Sequence, residues 1–289
     1  MTTAADELVA RAQAGNDSTF QELVTRHQRE MSSYFYRMTG SRADADDLSQ
    51  ELWLRVFRKL PEFHQQSSFR TWVFVIATRL AMDHYRARER WPVDAQDRAR
   101  ELAESSPEPA NEFLRVQRDS PQGRYEMREH IDFCLTCIMK TLPLDQQVAL
   151  MLSDIYSFTN AEAAEILGIT LSVAKHLLHD ARRLLDRVFE HRCALINKQG
   201  VCHQCSELNG FFNPSQQHQE RLLQLELVQA AERGRRDELL ELRTCLARNI
   251  DPLHSEGTDL QEAIMSIVRR AVQGTPTPSG SAALASLFL

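Results

Sequence analysis

Apolar residues return at helical intervals along most of the chain, and the alternation that would mark half-buried strands is scarce. In residues 20–36, Phe20, Leu23, Val24, Met31, Tyr34 and Phe35 fall near helical spacing, and Gly40 supplies a C-terminal stop. Ser41, with Asp44 three residues on, predicts the cap of a next helix, whose Leu48, Leu52 and Val56 recur at steps of four. That helix ends before Pro61. A further helix is predicted over 68–90, with Trp72, Val73, Ile76 and Leu80 on one face, arginines gathering toward its end, and Pro92 as terminator.

The pattern then breaks. Residues 92–124 carry Asp94, Asp97, Glu101, Glu104, Glu108 and Glu112 among Pro107, Pro109, Pro121 and Gly123, the composition of a flexible linker. A second helical block is predicted over 125–192. A third part, 193–273, opens on a cysteine cluster and continues in amphipathic helices at about 215–249 and 260–272, and 274–289 reads as a disordered tail. With 289 residues and only 10 glycines, the expectation is an all-α chain: two helical domains, a linker and a helical C-terminal extension.

Charge and hydropathy narrow the function classes. The net charge of −6 means that any DNA contact must use local basic patches. The longest apolar stretch, near 72–80, is broken by Thr78 and Arg79 and is too short to cross a bilayer. With no signal-peptide pattern at the N-terminus, a cytoplasmic protein without membrane association is expected, and its six cysteines are expected as thiols or metal ligands.

Residues 159–188 read as a helix-turn-helix. Thr159 can cap a short helix, small Ala163 lets a second helix approach, and Gly168 can take the positive φ that the turn needs. The second helix offers Lys175, His176, His179, Arg182 and Arg183 to bases and phosphates, with Asp180 an unhelpful neighbour. A plain helical hairpin with a solvated charged face is the alternative.

In the N-terminal block, the acidic helix containing Asp44, Asp46, Asp47, Leu48, Ser49, Gln50 and Glu51 precedes an aromatic and then basic helix over 69–86. This pair resembles the second conserved region of extracytoplasmic-function sigma factors. Residues 126–190, with Thr141-Leu142-Pro143 and the helix-turn-helix, look like their fourth region. The two regions stand in the family's order, with its linker between them.

The resemblance implies a non-enzymatic subunit that carries core RNA polymerase to promoter DNA. By it, Asp47, Gln50, Glu51 and Arg55 would dock on the clamp helices of the polymerase's largest subunit, although read alone they are a solvated helix face. Arg79, His84, Arg86, Arg88 and Arg90 would neutralise phosphates around the minus-ten element, where a base is unstacked. Phe69, Trp72 and Phe74 could stack on bases, but helical spacing favours core for Trp72. The helix-turn-helix would read the minus-thirty-five element. Arg79 replaces the family's usual asparagine, and Leu177 and Asp180 stand where basic residues are common. An anti-sigma factor is an implied partner, and the sigma role requires no cofactor.

Cys202 and Cys205 form a Cys-x-x-Cys turn just after Gly200, suited to zinc. Cys193 is a further candidate ligand, and Cys134 with Cys137 supplies a second pair, although these lie on an amphipathic helix where buried cysteine is ordinary. A reversible disulfide is the alternative use. The extension is expected to pack on the two sigma-like regions and restrain them. Two other functions compete: a helix-turn-helix repressor or activator acting without polymerase, and a thiol or metal enzyme, for which no substrate-site signature is present.

Overall fold

A computed structural model of the chain describes residues 4–86, 134–192, 247–254 and 258–274, with scattered positions at 91–102 and at 244–245. All regular structure among the described residues is helical. The N-terminal unit comprises α1 (Ala4–Gln13), α2 (Asp17–Thr39), α3 (Arg42–Lys59), a 3₁₀ turn at Leu60–Glu62 and α4 (Phe69–Arg86). The second unit comprises helical residues 134–139, α5 (Leu144–Leu150), a π turn at Met151–Ile155, α6 (Asn160–Leu167) and α7 (Leu171–Arg192). The C-terminal helix is α8 (Thr258–Gly274).

Local chemistry sets these boundaries. The Asn16 side chain accepts the Thr19 N–H at 3.0 Å and starts α2. At the other end Gly40 takes φ 65 and donates its N–H to the Tyr36 carbonyl, as a left-handed C-terminal cap does. Ser41 accepts the Asp44 N–H at 3.3 Å, so the expected cap of α3 is present. Leu48, Leu52 and Val56 form the buried stripe of that helix.

One apolar core runs through both units. In the first it is dominated by aromatics: Tyr34, Phe35 and Phe74 are completely buried, each contributing about 1.5–3 kcal/mol by the usual transfer scale. The second unit joins it through Tyr156 and Phe158. The Phe74 ring meets Phe158 edge-on at 4.7 Å, and Tyr34 meets Tyr156 at 5.5 Å. Arg70 spans the seam: it holds Glu30, donates to the Tyr156 carbonyl at 2.7 Å and lies over the Phe158 ring at 4.0 Å.

The linker expected over 92–124 is described only at its start. There Ala95 and Ala99, with Trp91 just before them, pack with Cys137 and with Ile264, Met265, Ile267, Val268 and Ala271 of α8 in a second cluster. The helix expected at 260–272 is present as α8. Most of the one expected at 215–249, and the tail 274–289 apart from its first residue, lie outside the described residues.

Candidate nucleic-acid and docking faces

The helix pair α6–α7 is fixed by its turn. Thr159 Oγ1 accepts the Glu162 N–H at 3.2 Å while the Glu162 carboxylate accepts the Thr159 N–H at 2.8 Å, a reciprocal capping box. Gly168 takes φ 67, and the following Ile169 N–H closes on the Ala164 carbonyl at 3.0 Å. Fully buried Ala163, Ala174 and Ala181 leave room for a close helix crossing. Thr170 Oγ1 accepts the Val173 N–H at 3.3 Å and starts α7.

On α7 the structure exposes Lys175, His176, His179 and Arg183. Arg182 is different. It grips the Asp154 carboxylate of the π turn with two nitrogens, at 3.1 and 2.5 Å, and keeps only about half of its side chain in solvent. The hydrogen bonds to Asp154 raise its pKa further. Arg182 therefore helps seat the helix as well as presenting charge. Asp180 is exposed in the same row, and Leu177 is half-buried. Two apolar side chains also stand in solvent at the leading end of α7, Leu171 at 43% and Val173 at 45% exposure.

The basic set on α4 is divided. Arg79 is exposed. His84 is partly buried, with Nε2 3.8 Å from the Asp44 carboxylate on α3. Arg86 ends α4, and Arg88 and Arg90 lie outside the described residues. Of the aromatics, Phe74 is core. Phe69 and Trp72 stack with Phe63 in a cluster with centroid distances of 4.8 to 6.0 Å, Phe69 buried and Trp72 partly so.

On α3, Asp47, Gln50 and Glu51 are exposed and Arg55 is ion-paired with Glu51 one turn away. Beside them stand the two most exposed large apolar residues among those described, Leu54 and Phe57 at 58% and 53%. Phe57 leans edge-on against Phe20 of α2 at 5.0 Å. The sequence does hold a signal for this pair: they fall off the stripe set by Leu48, Leu52 and Val56, so the core cannot take them.

Glu30, beneath Arg70, is largely desolvated, which alone would raise its pKa. The His27 imidazole 3.9 Å away and the hydrogen bonds from Arg70 outweigh that and hold the carboxyl below its ordinary range.

The cysteine pair on helix 134–139 does not form a ligand set. Cys134 is buried in the main core and Cys137 in the second cluster, 4% and 2% exposed. Among the described residues no group of three or more His, Cys, Asp or Glu is placed to hold a metal. The zinc expectation has no support here; Cys193, Cys202 and Cys205 lie outside the described residues. Among those described, no helix is long and apolar enough to cross a membrane.

Comparison with known proteins gives these faces a family. Residues 23–91 match Sigma-70 region 2, and residues 132–185 match Sigma-70, region 4. The chain is thus an RNA polymerase sigma factor, a non-enzymatic subunit for promoter recognition and transcription initiation that needs no cofactor. It is of the ECF type. The ECF RNA polymerase sigma factor SigG of Mycobacterium tuberculosis is 31% identical over 171 residues, 56% of this chain and 46% of SigG. The RNA polymerase sigma-H factor of Pseudomonas aeruginosa is 26% identical over 184 residues, 64% of this chain and 93% of the factor. Among solved structures, CnrH in complex with the cytosolic domain of CnrY is 22% identical with a TM-score of 0.46, covering 65% of this chain and 98% of that one.

Proposed function

We propose that the chain docks on core RNA polymerase through α3 and reads the two promoter elements through α7 and α4. The observation that carries the docking assignment is the pairing of exposed Leu54 and Phe57 with the polar row of Asp47, Gln50, Glu51 and Arg55. Large apolar side chains held in solvent beside ordered charges are what a protein interface buries at its centre.

On α7, Lys175, His176, His179 and Arg183 supply phosphate and base contacts, Arg182 assists from its ion pair, and Leu171 and Val173 fit thymine methyl groups in the major groove. On α4, Arg79 and Arg86, with Arg88 and Arg90 of the sequence that follows, meet the minus-ten backbone, and His84 adds to that set. The polymerase places the chain in the cytoplasm, and family membership makes an anti-sigma factor an expected regulator.

Reconstitution with core RNA polymerase tests this directly. Core binding and initiation from a cognate promoter are expected, with α7 substitutions weakening the upstream element alone. Binding of duplex DNA without binding of core would reject the assignment.

A further inference from the structure

The C-terminal segment is bolted across both promoter-reading units. Its first bolt runs along α2, whose Arg29, Ser33, Arg37 and Gly40 lie about one turn apart on one face. The Arg37 guanidinium, 3% exposed, donates to the Ala247 and Ile250 carbonyls at 2.8 and 3.0 Å. These carbonyls end a short helical turn and need donors. Asp251 follows and accepts from Ser33 Oγ at 2.9 Å, from the Leu253 N–H at 3.0 Å and from Arg29. The intervening Arg248 reaches the other unit and donates to the Asp154 carbonyl. One stretch, 247–251, thus ties α2 to the π turn behind α7.

The second bolt is α8. Arg269 donates to the Gly40 carbonyl at the end of α2. Met265 is fully buried against the same glycine, where an added Cβ would lie 3.0 Å from its side chain and 2.9 Å from Lys140 Cε. Lys140, from the second unit, is itself fully buried and donates to the Met38 carbonyl at 2.6 Å. Ile264, Ile267 and Val268 meanwhile cover Trp91, Ala95 and Cys137. A single helix therefore closes over the end of region 2, the start of the linker and region 4.

This arrangement conflicts with the work of the two units. The promoter elements, by their positions, lie about 25 base pairs apart, or about 85 Å of duplex. A compact chain of 289 residues has a radius of gyration of about 19 Å, and here the units touch ring to ring. Reading both elements at once requires them to part. The docking face is different: Leu54 and Phe57 stay exposed in the closed form.

Resting on the sigma-factor reading, we propose that residues 247–254 and α8 form an intramolecular clamp that holds regions 2 and 4 together. The clamp leaves α3 free to engage polymerase and must release before the promoter is spanned. It controls reach, not first docking.

The test uses the full chain with distance labels at exposed Glu62 and Glu165, introduced as non-natural amino acids because six cysteines are native. Wild type should give one short distance. Asp251→Arg combined with Arg248→Ala should lengthen it and raise transcription at limiting sigma factor by roughly tenfold, as the open fraction grows. Core affinity should be unchanged. Arg29→Asp placed with Asp251→Arg, in a chain that keeps Arg248, should shorten the distance and lower transcription relative to Asp251→Arg alone, because the 29–251 ion pair is restored with its charges exchanged; this excludes general loss of folding as the cause. Unchanged distances and unchanged transcription in the first variant overturn the clamp, as does failure of the charge swap to shorten the distance. Labels that separate as expected, with no transcription from any chain, would sustain the clamp and reject the sigma-factor reading.

Discussion

On the proposed assignment, region 2 and region 4 meet their partners by opposite means. Region 2 is a thick core of Tyr34, Phe35, Phe74 and the Phe63–Phe69–Trp72 cluster, stiff enough to leave Leu54 and Phe57 stranded in solvent. Region 4 has little bulk at its helix crossing. It relies on alanines, a capping box and a left-handed glycine to set one helix at a fixed angle behind a row of charge. A protein surface rewards apolar area on a rigid support, whereas a DNA groove rewards orientation, because base contacts carry information only when the helix enters at the right angle.

Substitutions can break this contrast in a definite order. Phe74→Ala removes the ring that both regions share and should cost about 3–5 kcal/mol in chemical denaturation, with the regions uncoupling. Leu54→Asp with Phe57→Asp should leave stability within about 0.5 kcal/mol. It should nevertheless weaken core polymerase binding by about 2 kcal/mol or more, measured by titration, while duplex DNA binding persists. Ala163→Leu should do the converse: overpacking costs about 1–3 kcal/mol and upstream-element binding falls while core affinity holds. Thr159→Ala opens the capping box and should lower melting stability by about 1 kcal/mol.

The smallest effect is one of pH. Because the folded pKa of Glu30 is depressed, its contribution is complete above the ordinary value of 4.5 and is lost as pH falls through the folded one. Glu30→Gln should flatten the loss of melting temperature below about pH 4.5; an unchanged acid slope would show that Arg70 seats itself without Glu30.

Much of this was legible in the chain itself, for a physical reason. Caps and turns are local, so Ser41, Thr159 and Gly168 announced their helices through three or four neighbouring residues. The stripe of Leu48, Leu52 and Val56 likewise needs no partner to be read. Exposure is not local. Leu171 and Val173 resemble any apolar residues beginning a helix, and only the packed unit shows that they stand in solvent. Long-range pairing is harder still: nothing in the sequence marks Asp154 as the partner of Arg182, 28 residues away. The bolts between α2 and residues 247–251 join positions more than two hundred apart, beyond any periodicity. Cys134 and Cys137 have the spacing of a chelating pair, yet the first packs in the main core and the second in the cluster under α8.

Gly40 gives the closed form a vulnerability of its own. Two distant parts of the chain, at Lys140 and Met265, are brought within contact distance of one hydrogen atom, and the backbone there is twisted to φ 65. A single methyl group at that position would act as a wedge driven into a hinge: it strains the turn and displaces Lys140 and Met265 together. The smallest covalent change available at this site is also the one best placed to spring the whole molecule, so the absence of a side chain there is as much a working part as any of the residues that surround it.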